Sequence, residues 1–171
     1  MMIDNMRRIW TIIVVLGLAG GSYLLFGLWD YARTIATQAQ CANNLKEICL
    51  AMRLYAAEHD NQWPRNLQSI AGYKGMCKNP AVFVCPRTGH KPAALSQAEQ
   101  WTDYTFATLA NGMRTNDQGV AAYCLPKNHD GAFGLILFNG GRVSITPAKD
   151  FWMAVKTAET LSPSDFWKIT Q

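Results

Sequence analysis

Residues Ile9–Trp29 read IWTIIVVLGLAGGSYLLFGLW and carry no Asp, Glu, Lys, Arg or His. Coiled as a helix, this stretch is roughly 30 Å long, the hydrocarbon thickness of a bilayer. Trp10 and Trp29 stand at its two ends, where amphipathic rings favour the headgroup region. Arg7 and Arg8 precede it, while Asp30 and Arg33 cancel after it. The positive-inside rule then predicts residues 1–8 in the cytoplasm, 9–29 across the membrane and the remainder outside. A cleaved signal peptide would have an apolar core of only about 7–15 residues and end at a small-x-small site. Thr34-Ile35-Ala36 is a poor site of that kind, and Gln40 precedes Cys41 where a lipobox needs a small residue. An uncleaved anchor is expected. Gly17, Gly20 and Gly21 give it a small-residue face that can admit a neighbouring helix, and they are candidate partner contacts.

Moving outward, the run explains part of the composition. The chain has 171 residues, a net charge of +4 and 16% charged residues, against about a quarter in ordinary domains. Aromatics at 11% exclude intrinsic disorder. A mean hydropathy of −0.06 leaves no room for several spans. No basic cluster marks a nucleic-acid partner.

Beyond Asp30 the pattern stays helical. Cys41, Leu45, Ile48, Met52 and Tyr55 recur at helical spacing, with Cys49 and Ala56 widening the stripe. No proline or glycine falls between Leu28 and the Trp63-Pro64 stop, so one long helix is expected. Residues 132–145 read as a hairpin, with two apolar runs flanking Asn139-Gly140, residues that tolerate positive φ. Phe133, Leu135 and Leu137 alternate with Gly134, Ile136 and Phe138, so both sheet faces need cover. Shorter strands are expected at Val82–Val84, Tyr104–Ala107 and Val120–Cys124, and a loop entering a short helix at Lys91–Gln100.

The five cysteines fall at 41, 49, 77, 85 and 124, an odd number in a domain placed outside the cytoplasm. Cys41 and Cys49 lie about 12 Å apart along a helix and cannot bond to each other. Disulfide candidates are Cys77, Cys85 and Cys124, paired as Cys77–Cys85 or Cys85–Cys124. A zinc set of Cys77, Cys85 and Cys124 with His90 or His129 lacks any close C-x-x-C pair, so no metal ligand is assigned. His129 is expected to cap the loop entering the hairpin. No phosphate loop or framed carboxylate pair occurs, so neither a catalytic nor a cofactor residue is assigned. In the tail, Thr146-Pro147…Phe151-Trp152 is echoed by Ser162-Pro163…Phe166-Trp167, each a helix-start signal followed by an aromatic pair. Short helices covering the sheet are expected over 147–171, with Phe151, Trp152, Phe166 and Trp167 as candidate partner contacts.

The apolar helix, the Cys41-Ala42-Asn43-Asn44-Leu45-Lys46-Glu47-Ile48 stretch, Tyr55 and Pro64 together resemble type IV pilin-like proteins. The likeness is to the planctomycete-type pseudopilin-like group. Val82-Phe83-Val84-Cys85-Pro86 is similar to its F-x-C-P segment and Asp103-Tyr104 to its D-Y. His129-Asp130-Gly131-Ala132 through Leu137-Phe138-Asn139-Gly140-Gly141-Arg142-Val143 is similar to its H-x-G-G-A…L-F-x-D-G-H-V hairpin. The resemblance covers roughly residues 7–146. It implies an α+β fold, a long N-terminal helix packed on a small antiparallel sheet, in a bacterial inner membrane with the domain over 30–146 periplasmic. Two departures matter. Arg8 leads into Ile9-Trp10-Thr11-Ile12-Ile13, without the glycine and glutamate of a prepilin cleavage segment. Asn139-Gly140-Gly141 stands in place of D-G-H, losing two potential metal ligands.

The expectation is a non-enzymatic, membrane-anchored accessory subunit of a larger envelope complex. Its partners would be the bilayer and other protein subunits, with no small-molecule substrate. The alternatives are a pseudopilin of a type II secretion or type IV pilus system, and a tethered periplasmic enzyme using a metal or a thiol.

Overall fold

The structure, a computed structural model, describes residues 2–107 and 119–160. It is α+β: a long N-terminal helix, α1 (Met2–Ala57), and a four-stranded antiparallel sheet. The chain divides into two units, Met1–Gln38 and Ala39–Gln171.

In the first unit α1 is apolar all round from Trp10 to Trp29. Its best 18-residue window has a mean hydropathy of 2.0 and none of it is buried, so this helix is long and apolar enough to span a membrane. Trp10, Leu16, Leu24, Phe26 and Trp29 are each about two-thirds exposed or more. The Ser22 hydroxyl donates to the Leu18 carbonyl at 2.8 Å, which satisfies a polar group inside the apolar run. A Cβ built at Gly17, Gly20 or Gly21 would meet nothing within 4 Å.

In the second unit the stripe read from the sequence is the buried face of α1: Cys41, Leu45, Ile48, Cys49, Met52 and Ala56 are buried. The helix stops where Asp60 and Asn61 take left-handed φ of 52° and 58°, short polar residues that tolerate that region. The sheet comprises β1 (Tyr104–Phe106), β2 (Val120–Cys124), β3 (Phe133–Phe138) and β4 (Val143–Pro147), in the order β1-β2-β3-β4. Its register sets Tyr104 opposite Cys124, Cys124 opposite Leu135, and Leu135 opposite Ile145. The short helix α2 (Ala98–Trp101) follows the Lys91 loop, and α3 (Ala148–Thr160) closes the described chain.

Leu135 and Leu137 pack with the α1 stripe, Phe83 and Tyr104 in the larger core. Ile136 and Phe138 pack with Val120, Phe151 and Val155 in a second core, under α3. The approach of α3 depends on Gly134, where a Cβ would lie 2.3 Å from the Phe151 ring and 2.9 Å from the Cys124 carbonyl oxygen.

Three expectations need correction. Val82–Val84 is not a strand: Pro80–Phe83 forms a 3-10 turn, because Asn79 Oδ1 accepts from the Ala81 N–H and Pro80 supplies a preset φ. The hairpin turn is a three-residue loop, closed by Phe138 N–H donating to Arg142 O at 2.9 Å. Its left-handed residue is Gly141 (φ 86°), so neither Asn139 nor Gly140 takes positive φ. Thr146 and Pro147 remain in β4 and α3 starts at Ala148, its 13 residues forming one helix beyond the first hydroxyl-proline signal. Of the aromatic pairs, Phe151 is core and Trp152 is exposed, while Phe166 and Trp167 lie outside the described residues.

Candidate metal centre

Four elements of the second unit bring Cys41, Cys85, Cys124 and His129 together. Cys41 comes from the buried stripe of α1, and Cys85 from the turn after the Pro80–Phe83 segment. Cys124 ends β2, and His129 ends a 3-10 turn over Pro126–His129 that leads into β3. Their donor atoms all lie within 4.8 Å of one another and all four residues are buried. His129 Nε2 is 3.7 Å from both Cys41 Sγ and Cys85 Sγ.

The surroundings hold these atoms in place. The Cys85 N–H donates to Asp103 Oδ2 at 2.9 Å, and the single proton of the Thr88 hydroxyl lies between Asp103 Oδ2 and the Cys85 carbonyl. The buried Asp103 carboxylate thus shapes the Cys85 turn, and exposed His90 completes it at 2.6 Å from Asp103 Oδ1. Arg87 Nε donates to Asp130 Oδ2 at 2.9 Å, tying the Cys85 turn to the His129 turn. Asp130 and Gly131 leave that turn in the left-handed region, with φ of 55° and 74°. The His129 ring stacks on Phe133 at 4.6 Å. Donors also point at the sulfurs: Asn128 Nδ2 at 3.5 Å from Cys124 Sγ, and the Tyr104 hydroxyl at 3.7 Å from Cys41 Sγ.

These contacts split the thiols. Cys85 is held below the ordinary thiol range because Cys124 and Cys41 donate to its sulfur, aided by His129 and the Arg87 backbone N–H. Cys124 is pushed up, since it gives its proton to Cys41 and Cys85 and is buried besides. For Cys41, donation from Cys124 favours the thiolate. Its own donation to Cys85, burial and the Cys85 charge outweigh that and push it up to about 12. Burial and the nearby Cys41 charge also raise the Tyr104 phenol.

All five cysteines are free thiols and none is at bonding distance from another, which corrects the disulfide expectation. Cys85 and Cys124 do meet, but in the cluster. Cys77 lies apart from it, its N–H donating to Glu47 Oε1 at 3.0 Å, and burial followed by the Glu47 charge pushes its thiol up to about 12. The fourth ligand-type group is Cys41, which the sequence reading placed in the apolar stripe and in no ligand set. His129 does not cap the hairpin loop with its side chain; Nε2 faces the sulfurs and Nδ1 has no hydrogen-bond partner among the described residues. The usable sequence signal was weak: one cysteine within α1 and a cysteine or histidine at or just after the ends of three short elements, without one close pair.

Beside the cluster an open groove of about 560 Å³ is lined by Arg87, Thr88, His90, Asp103, Lys127 and Asp130 among others. Its Arg87 and His90 are engaged with Asp130 and Asp103.

These features define a helix-bearing α+β protein with a buried three-cysteine, one-histidine cluster. No family model, curated protein or solved structure matches the chain.

Proposed function

We propose that the protein is a single-span, membrane-anchored subunit whose domain after Asp30 serves as a scaffold in a larger envelope complex. The observation that carries this reading is the run from Trp10 to Trp29, whose large apolar side chains stand exposed around the whole helix. Burying such a surface in lipid contributes about 25 cal/mol per Å² and needs no partner protein. The Arg7-Arg8 pair before the run favours a cytoplasmic N-terminus and an extracytoplasmic domain. The sequence resemblance to pilin-like proteins supports the same arrangement, without the cleavage segment that filament entry needs.

A scaffolding role is supported on the domain side by Trp152 and Met153. They are 52% and 65% exposed on α3, where Phe151 beside them is fully buried. Exposed tryptophan next to a rigid, packed base suits an interface anchor. The buried cluster, in turn, offers an outside reactant no access to its sulfurs, unlike the thiol of a tethered enzyme. Purification from native membranes in mild detergent, followed by identification of co-purifying proteins, tests the reading. A stable stoichiometric partner lost in Trp152→Ala is expected. A solitary chain that stays monomeric and keeps its location after deletion of residues 9–29 would overturn it.

A further inference from the structure

We propose that Cys41, Cys85, Cys124 and His129 bind one zinc(II) ion, forming a closed structural site that staples α1 to the sheet. This assignment stands whether or not the chain is a subunit of a complex.

The geometry suits a single ion. Tetrahedral zinc, with Zn–S near 2.3 Å and Zn–N near 2.0–2.1 Å, sets neighbouring ligand atoms about 3.6–3.8 Å apart. Two of the three sulfur-to-imidazole distances, from Cys41 and Cys85, are 3.7 Å, and no pair of donor atoms exceeds 4.8 Å. A disulfide would draw two sulfurs to about 2.05 Å. An iron–sulfur cluster would spread the sulfurs around two or more irons.

The chemistry of the donors narrows the ion. Three thiol sulfurs and an imidazole, with no carboxylate in the cluster, exclude calcium and magnesium, which take oxygen ligands. A borderline-soft divalent ion of tetrahedral preference is what such a set binds. Without one, the buried His129 imidazole has its Nε2 facing only sulfurs, two of them at 3.7 Å, which are weak hydrogen-bond partners. Buried polar atoms are otherwise almost always satisfied, so this arrangement itself points to a ligand.

Three thiolates around Zn²⁺ carry a net charge of −1, and the site supplies donors for it. These are Asn128 Nδ2 at Cys124 and the Tyr104 hydroxyl, which lies between Cys41 Sγ and the Val84 carbonyl. Binding exchanges thiol protons for the ion: Zn²⁺ enters, up to three protons leave to solvent, and neutral His129 gives its Nε2 lone pair while Nδ1 keeps its proton. The Phe133 stack orients the ring in place of the hydrogen bond that usually holds a metal-bound histidine. All four positions come from the protein, which makes the site structural and leaves no place for a reacting water.

The test uses the full chain in mild detergent, grown with zinc and purified without chelator. Elemental analysis should give one zinc per chain, and cobalt(II) exchange should give thiolate charge-transfer and intense tetrahedral d–d bands that added azide does not alter. Cys49→Ser and Cys77→Ser should keep full metal content, whereas His129→Ala and Cys124→Ser should lose it. Should those two variants fail to fold, Asn128→Ala still decides: competition titration should show affinity weakened about 10-fold with four-coordinate bands retained. A folded chain that takes up less than a tenth of an equivalent of zinc would overturn the site. So would a disulfide involving Cys41, Cys85 or Cys124 in the folded chain, or metal loss in Cys77→Ser. Azide-sensitive cobalt bands would overturn its closure.

Discussion

Leu135 and Leu137 leave one face of β3, Ile136 and Phe138 the other, and the two faces are closed by different chemistry. Toward α1 the core contains all five cysteines, and three of them converge with His129. Toward α3 the cover is aromatic and aliphatic: Phe151 and Val155 over Val120, Ile136 and Phe138, with Tyr123 packed at its edge. The first core draws ligand atoms from four separated segments, so it closes only when the whole domain is in place. The second depends on one helix that follows its own strand directly. Apolar packing is non-directional and tolerates small shifts, whereas a buried thiol–imidazole group is stable only when every polar atom finds a partner.

The largest expected effect comes from removing the ion. Chelation of the zinc-loaded chain should lower its urea midpoint more than any single substitution below, because binding energy of a structural metal is folding energy. An unchanged midpoint would mean the α1 face closes by packing alone. Next, Phe151→Ala should cost about 3–5 kcal/mol by urea unfolding, with zinc still bound. Loss of zinc in that variant would show that the two faces are one cooperative core. Gly134→Ala is the bridging case, since its added Cβ would strike both the Phe151 ring and the Cys124 carbonyl. It should destabilise both faces and weaken cobalt binding, unlike Phe151→Ala. Trp152→Ala should cost only about 1 kcal/mol, through its edge contacts with Tyr123 and Phe151, and act mainly on partner capture. A large loss of stability there would place Trp152 in the α3 core.

The smallest effect is electrostatic. Hydrogen bonding from Lys74, then Tyr73, holds the exposed Glu58 carboxyl below its usual range at the end of α1. A depressed folded-state value means this stabilisation is present above the ordinary carboxylate range and is lost as pH falls through the folded value. Glu58→Gln should therefore lower the thermal midpoint slightly at neutral pH and not at strongly acid pH, in melts of the two chains side by side. Equal differences at both ends would remove the ion pair from the account.

How much of this is legible in the sequence varies with the range of the interactions. The α1 stripe, the β3–β4 hairpin and strands β1 and β2 follow from periodicity and turn chemistry. The Val82–Val84 error has the same local origin: an apolar run outweighed the Asn79-Pro80 start signal that turns it into a 3-10 segment. The hairpin loop was misread by one residue, because three glycine-rich positions can each carry the left-handed φ and only the register of Phe138 with Arg142 selects Gly141. Cys85, Cys124 and His129 were visible as ligand-type residues. Cys41 was not, since its spacing made it indistinguishable from the leucine and isoleucine beside it.

By itself the sequence determined the apolar run, long enough to span a membrane, and the amphipathic continuation of α1, because hydrophobic transfer and helical periodicity act on neighbouring residues. It also determined that both faces of β3 need cover, since strand side chains alternate. Only the tertiary structure decided which cysteines meet and that α3 can approach through Gly134. Those outcomes rest on ångström-scale distances between segments as much as 88 residues apart, as for Cys41 and His129, and no local pattern encodes them.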